Sequence, residues 1–329
     1  MNERFNSIYG FHIKKFIDMK RTFGFKYNSG SYILSCIDTL AIERGETSCG
    51  ITKEFAEAWN RKQLNESDRY QYARRIILAR FSSYLNDLGI QSYIPKLPPY
   101  PKSNFIPYIY SLEEIYSLFK ASDDLKLQVA DKGSIIFCIP LLIRLLYATG
   151  LRISEALALQ CDDVNLDENY LHVKDCKNGR ERIIPIADSL SSACREYLKY
   201  RKLLPVKKTN SRYFFVNLDG NNARNNSSVR IWFRKCLRMA GIPYTGRHHG
   251  PRIHDLRHTF AVHSLASMVE DGIDLYVSLP VLSNYLGHQS LEATGHYVRL
   301  TANMYPNLVS NMNIVCLDVF PKFRNYETN

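Results

Sequence analysis

Apolar residues recur every three or four positions along most of this chain, the period of helices buried on one face. Ile33, Cys36, Ile37 and Leu40 form one such stripe. Thr52 heads a helix through Trp59, its hydroxyl suited to capping the first turn. Tyr70, Ala73, Ile77, Phe81, Tyr84 and Leu88 predict a long helix ended by Gly89. From Ser92 to Pro107 the period vanishes and five prolines predict an extended, semi-rigid segment. Ser111-Leu-Glu-Glu114 then reads as a capping box opening a new helix. A strongly apolar helix from Ile135 to Tyr147 stops at Ala148-Thr149-Gly150, and the next begins within Leu151–Leu157. At Tyr170–Lys174 and Arg182–Ile186 the period falls to two, with Asn178-Gly179 between them as a hairpin turn. Helical spacing returns at Ser191–Tyr200 and again at Val229, Trp232, Phe233, Cys236, Leu237 and Ala240, ended by Gly241 and Pro243. The pattern predicts a mainly α fold with a small antiparallel β-sheet, of the α+β class.

The break in period at the prolines divides the chain. It predicts a helical domain over residues 1–92, a connector over 93–107, a second domain over 108–302 and a tail over 303–329. A chain of 329 residues, 45% hydrophobic, holds enough apolar surface for two cores. Its net charge of +11 serves either solubility alone or a polyanionic partner, with nucleic acid the usual one, and charge by itself does not separate DNA from RNA or from an anionic membrane. No apolar run is long enough to span a bilayer, and no secretory signal follows Met1. The eight cysteines are scattered with no Cys-x-x-Cys. They predict reduced, cytosolic thiols rather than a disulfide framework or a zinc site. His248-His249 is read as a loop or a phosphate contact, because adjacent residues rarely face one ion together.

Two polar faces change the picture further. Arg69, Arg74, Arg75 and Arg80 surround the 70–88 stripe, and Arg230, Arg234, Lys235 and Arg238 line the back of the 229–240 helix. Either set is a solvated face or a track for a DNA backbone. The Asn-rich stretch from Asn221 to Ser228 is a loop suited to the same surface.

The densest chemistry lies between His254 and Tyr297. His254 and Arg257 stand three apart, so a helix shows both on one face. His288 follows Leu286-Gly287, a helix-end signal. Tyr297 comes nine residues later. Two imidazoles, a planar cation and a phenol suit a phosphodiester: arginine grips its oxygens in pairs, histidine donates or shuttles a proton, and tyrosine can carry phosphoryl covalently. Upstream, Arg152 sits where one helix ends and another begins. It either pairs with Glu155 or helps to hold an anion at that corner.

At His254-Asp-Leu-Arg-His258, Leu286-Gly-His288, Tyr297 and Thr149-Gly-Leu-Arg-Ile-Ser-Glu155 the sequence resembles the tyrosine recombinase (phage integrase) family. Order and spacing carry the resemblance, which covers roughly residues 107–300. It implies a helical core-binding domain followed by a catalytic domain. It implies that Tyr297 attacks DNA to form a 3′-phosphotyrosyl link, that Arg152 and Arg257 hold the non-bridging oxygens, that His254 accepts the tyrosine proton, and that His288 donates to the phosphate. A lysine of the hairpin turn serves this family; Lys177 matches, with Lys174 and Arg180 as rivals. His258 and His263 are read as packing or supporting histidines, and His296 has no assigned role.

The resemblance further implies double-stranded DNA as partner, a tetramer of protomers on DNA, strand exchange through a Holliday junction, and neither metal nor nucleotide cofactor. It places the protein in the cytoplasm, with the nucleoid. The tail, with Leu308, Val309, Met312, Ile314 and Val315, would dock on a neighbouring protomer. A type IB topoisomerase-like enzyme would share the chemistry, and a silent DNA-binding factor would share the surface. One departure from the family is the 31-residue step from Arg257 to His288, with an extension around residues 268–278.

Overall fold

The structure, a computed structural model, describes residues 5–101, 105–127, 131–174, 181–204, 211–223, 226–244, 250–288 and 292–305. The chain divides into two compact units, Met1–Phe105 and Ile106–Asn329, a division that falls inside the proline-rich stretch.

The first unit is built from α1 (Gly10–Thr22), α2 (Asn28–Glu43), α3 (Lys53–Asn60) and α4 (Asp68–Asp87). Thr52 caps α3 as expected, accepting the Phe55 backbone N–H at 3.1 Å. Its core gathers Tyr9, Phe16, Leu34, Phe55, Trp59 and Phe81. Along α4 the inward face differs from the expected stripe: Ile77, Leu78, Phe81 and Leu85 are buried, whereas Tyr70 and Leu88 are exposed. Arg74 also turns inward. It is 4% exposed, pairs with Glu66 at 2.7 Å and lies over the Trp59 ring. The reading of four arginines as one surface is corrected there, because a cation clamped by a buried carboxylate and an indole faces no DNA.

The second unit comprises α5 (Leu112–Asp123), α6 (Ile139–Thr149), α7 (Ile153–Ala156), β1 (Val164–Asn165), β2 (Tyr170–Val173), β3 (Arg182–Pro185), α8 (Asp188–Lys202), α9 (Asn226–Met239), α10 (Asp255–Glu270), α11 (Leu275–Leu286) and α12 (Glu292–Met304). The three strands form one antiparallel sheet in the order β1-β2-β3, with Val173 opposite Arg182. β1, only two residues long, carries no period that the sequence could show. The capping box at Ser111 and Glu114 is present in full. α9 buries Val229, Phe233, Cys236 and Leu237, leaving Arg230, Arg234 and Arg238 exposed. The extension at 268–278 spans the end of α10, a turn at Asp271-Gly272 and the start of α11.

α10 sets the geometry of the site. It packs against α6, which lies more than a hundred positions earlier, and against α11 and α12, which follow it. Ala261, Val262 and Leu265 of α10 share a cluster with Leu282 and Leu286 of α11 and Tyr297 and Leu300 of α12. Burial of that cluster fixes which residues of the three helices meet at one end. No helix of the described residues is long and apolar enough to cross a membrane.

Candidate active site

Arg257 is the hub. Its guanidinium is 3% exposed and donates from Nη1 to Gly150 O and from Nη2 to Leu286 O, both at 2.7 Å. These carbonyls lie at the C-terminal ends of α6 and α11, where a helix leaves acceptors unpaired and its dipole is negative. Both helices end on a left-handed glycine, Gly150 at φ 59° and Gly287 at φ 66°. The chain then turns back toward the arginine, so that Arg152 and His288 follow within two residues of each stop. One forked cation thus ties two chain reversals together and sets a candidate residue beyond each.

Arg152 pairs with Glu155, Nη1 to Oε1 at 2.7 Å, and keeps 22% of its side chain exposed. The pairing weighed in the sequence therefore forms, and it forms within the site. The other carboxylate oxygen, Oε2, meets Arg182 Nη2 at 2.9 Å. Arg182 also donates from Nε to Tyr285 O at 3.0 Å and lies against Gly287. Burial pushes the Glu155 carboxyl up, but the bonds from Arg182 and Arg152 outweigh it, and the net direction is down. Nothing in the linear sequence joined Arg182 to Glu155, which lies 27 positions earlier.

Tyr297 projects from α12, 3% exposed. Its hydroxyl lies 3.0 Å from Nδ1 of His258 and within the field of the Arg257 guanidinium. Burial raises the phenol above its ordinary value, while Arg257 and then Arg152 draw it back. The ring of His288 is stacked with that of Tyr297 at 6.1 Å and 18°. Its Nδ1 contacts the buried Thr294 hydroxyl at 2.8 Å, which leaves Nε2 as the outward nitrogen.

The structure thus brings together Arg152, His254, Arg257, His288 and Tyr297. Lys177 lies outside the described residues, as do Arg180, His248, His249 and the tail from 306 onward. Lys174 is described, and its ammonium is held by Asp163 at 2.6 Å, a bond that raises its pKa. His263 bonds Tyr147 Oη through Nδ1 at 3.0 Å, joining α10 to α6 away from the phenol.

His258 is the residue to which sequence reading gave too little. It follows His254 by four positions, so the helical spacing that grouped His254 with Arg257 already placed it on that face. The imidazole on the Tyr297 oxygen is His258, while His254 packs edge-to-face against His258 at 5.1 Å.

All three imidazoles are held toward the neutral form. Burial, then His254 and Arg257, lowers His258 to about 3. Burial, then Arg257, Arg152 and Arg182, lowers His288 to about 4. His254 shifts the same way, by burial and then by Arg257, Arg152 and Arg252. The residue is also open to solvent, and the guanidiniums alone disfavour its imidazolium. Arg257 falls to about 10 and stays charged at neutral pH. The result is a cluster of fixed cations, neutral imidazoles and a protonated phenol. Among the described residues no group of three His, Cys, Asp or Glu side chains is arranged to hold a metal ion.

Known proteins share this arrangement of sequence. The pattern that defines the phage integrase family matches residues 111–304. A putative integrase/recombinase, y4rB, of Sinorhizobium fredii is 30% identical over 87% of this chain and 91% of its own length. The tyrosine recombinase XerA of Pyrococcus horikoshii is 30% identical over 73% of each chain. The fold resembles that of lambda integrase solved as a tetramer bound to a Holliday junction, with a TM-score of 0.59 and 18% identity over 87% of this chain and 75% of that one. A match spanning α5 to α12, together with relatives aligned over most of their length, makes this chain a member of the phage integrase family, a tyrosine recombinase acting in site-specific recombination.

Proposed function

We propose that this recombinase cuts and rejoins DNA through a covalent bond between Tyr297 and the 3′ phosphate. One arrangement carries the reading: the buried Tyr297 hydroxyl lies 3.0 Å from His258, its ring stacks with His288, and it sits within the fields of Arg257 and of Arg152, a residue from the far side of the sequence. A phenol in the field of two guanidiniums is near the groups that grip the non-bridging oxygens of a phosphodiester. As the phosphorus becomes five-coordinate, its added negative charge is balanced by cations already fixed in place. Losing one such donor typically costs about a hundred- to a thousand-fold in rate.

Arg257 has five N–H groups and spends two on backbone carbonyls, so donors remain for phosphate. Arg152, tethered but partly exposed, takes the second oxygen. His288 donates from Nε2, and His254 joins it at the phosphate. Lys177 protonates the departing 5′ oxygen. The bond energy is kept in the phosphotyrosyl link, so rejoining needs no nucleotide. Residues 1–92 serve as a core-binding domain and the exposed arginines of α9 follow the duplex backbone. Four protomers exchange strands through a Holliday junction, the assembly in which lambda integrase has been seen, with the tail from residue 303 coupling neighbours.

A nicked suicide duplex tests this, carrying the site found by footprinting the DNA that flanks the gene. Wild-type protein should give an SDS-stable adduct and Tyr297→Phe none. No adduct from wild type on its own site overturns the reading.

A further inference from the structure

We propose that His258, rather than His254, takes the Tyr297 proton during strand cleavage and returns it during rejoining. The inference rests on Tyr297 being the nucleophile. Its basis is geometric. His258 Nδ1 lies 3.0 Å from Tyr297 Oη, within the reach required of a general base. Among the described residues His258 is the side chain within hydrogen-bond distance of that oxygen, so the phenol's O–H is directed to the imidazole. The His258 tautomer this demands carries its proton on Nε2 and its lone pair on Nδ1. The His254 ring lies beyond, edge-to-face with His258 and open to solvent, and so is the next group outward.

The step balances. A lone pair on Tyr297 Oη forms the bond to phosphorus while its proton passes to His258 Nδ1. The bond from phosphorus to the 5′ oxygen breaks, and that oxygen leaves with the electron pair and takes a proton from a general acid, the role proposed above for Lys177. Rejoining reverses each transfer, with His258 protonating the departing phenolate.

The charged surroundings fit this role. The groups facing His258 are His254, Arg257 and Arg252 from its own segment and His296 from α12, and the two guanidiniums among them oppose an imidazolium. They keep the Nδ1 lone pair available. The same cations attract a phosphodiester, whose charge, growing as the phosphorane forms, is the counter-ion an imidazolium needs.

Two measurements test the assignment. The first needs no DNA. ¹⁵N NMR of histidine-labelled full-length protein at neutral pH should show His258 with Nδ1 unprotonated, and Tyr297→Phe should shift that resonance. A protonated Nδ1 overturns the proposal.

The second compares His258→Asn and His254→Asn in adduct formation on a nicked duplex whose site is recovered from a random pool with wild-type protein. Asparagine keeps a polar atom near the Nδ1 position but takes up no proton in this range. His258→Asn should bind the duplex as wild type does and cleave about a hundred- to ten-thousand-fold more slowly. The deficit should narrow as pH rises toward the titration of the phenol, and His254→Asn should lose less. Wild-type cleavage by His258→Asn across pH 6 to 9 (a merely structural role), or a larger loss in His254→Asn, overturns it. Should His258→Asn fail to fold, the NMR result decides alone. Absence of any wild-type adduct condemns the nucleophile assignment instead, whatever the histidine variants do.

Discussion

Glu155 binds Arg152 through Oε1 at 2.7 Å while its second oxygen holds Arg182, so a single buried carboxylate of α7 orients one cation of the site and ties a second, from β3, to the same helix. Without it, Arg152, Arg182 and Arg257 would face one another with no anion between them, and Arg152 and Arg182 already lower the pKa of Arg257. Glu155→Gln keeps the size and removes the charge. Breaking a buried pair commonly costs about 3–5 kcal/mol. A misplaced phosphate ligand costs about a hundredfold in rate. The variant should melt earlier and form adduct slowly while still binding DNA. Unchanged melting and adduct rates would show that Glu155 organises nothing.

The neutral histidines make stability depend on pH. His258 and His288 titrate near 3 and 4 in the folded chain, against an ordinary 6.5. Below 6.5 the unfolded chain binds protons that the folded chain resists, so acid favours unfolding. The stability is therefore complete above about pH 6.5 and is lost progressively as pH falls through that value toward 4 and then 3. The loss should amount to a few kcal/mol, on the order expected for shifts of this size. Chemical denaturation of the protein alone between pH 8 and 4 measures it. His258→Asn should flatten the slope between pH 6.5 and 5, and an equally steep slope in that variant would remove His258 as its source.

Much of this was legible because it is local. The capping box at Ser111 and Glu114, the stop at Gly150 and the apolar face of α9 depend on neighbours within a turn or two. So does the placing of His254, Arg257 and His258 on one face. What stayed hidden was carried by contacts far apart in sequence. The Arg257 bonds to Gly150 O and Leu286 O span 107 and 29 positions, and no periodicity encodes a backbone acceptor. Arg74 looked like a surface cation because Trp59 and Glu66, which bury it, lie on the chain before its own helix.

Gly150 joins fold to chemistry. It has φ 59°, and a Cβ there would stand 2.5 Å from Phe260 Cδ1 and 2.9 Å from Leu286 Cδ2. Its carbonyl holds Arg257. Gly150→Ala therefore combines a left-handed backbone, about 1–2 kcal/mol, with overpacking, about 1–3 kcal/mol. Thermal melting should show a clear fall, and cleavage should fall with it as Arg257 shifts. Gly272→Ala is the control: φ is 79° but nothing lies within 4 Å of the added carbon, so the backbone cost alone should remain. Equal losses in the two variants would refute the packing argument.

Arginines of the two units should respond oppositely to truncation. Arg74 is clamped by Glu66, donates to Trp59 O and covers the indole at 4.3 Å. Arg74→Ala leaves a buried carboxylate unpaired and should destabilise its unit by about 3–5 kcal/mol. Arg230, exposed on α9, supports no core, so Arg230→Ala should leave melting unchanged. If α9 follows the phosphates, it should instead weaken DNA binding for all sequences alike and reduce the slope of log affinity against log salt by about one. Titrations from 50 to 200 mM salt, with melts of both variants, separate the cases. A stable Arg74→Ala protein, or an Arg230→Ala protein with wild-type slope, would show that burial has misjudged which cation serves the fold and which the DNA.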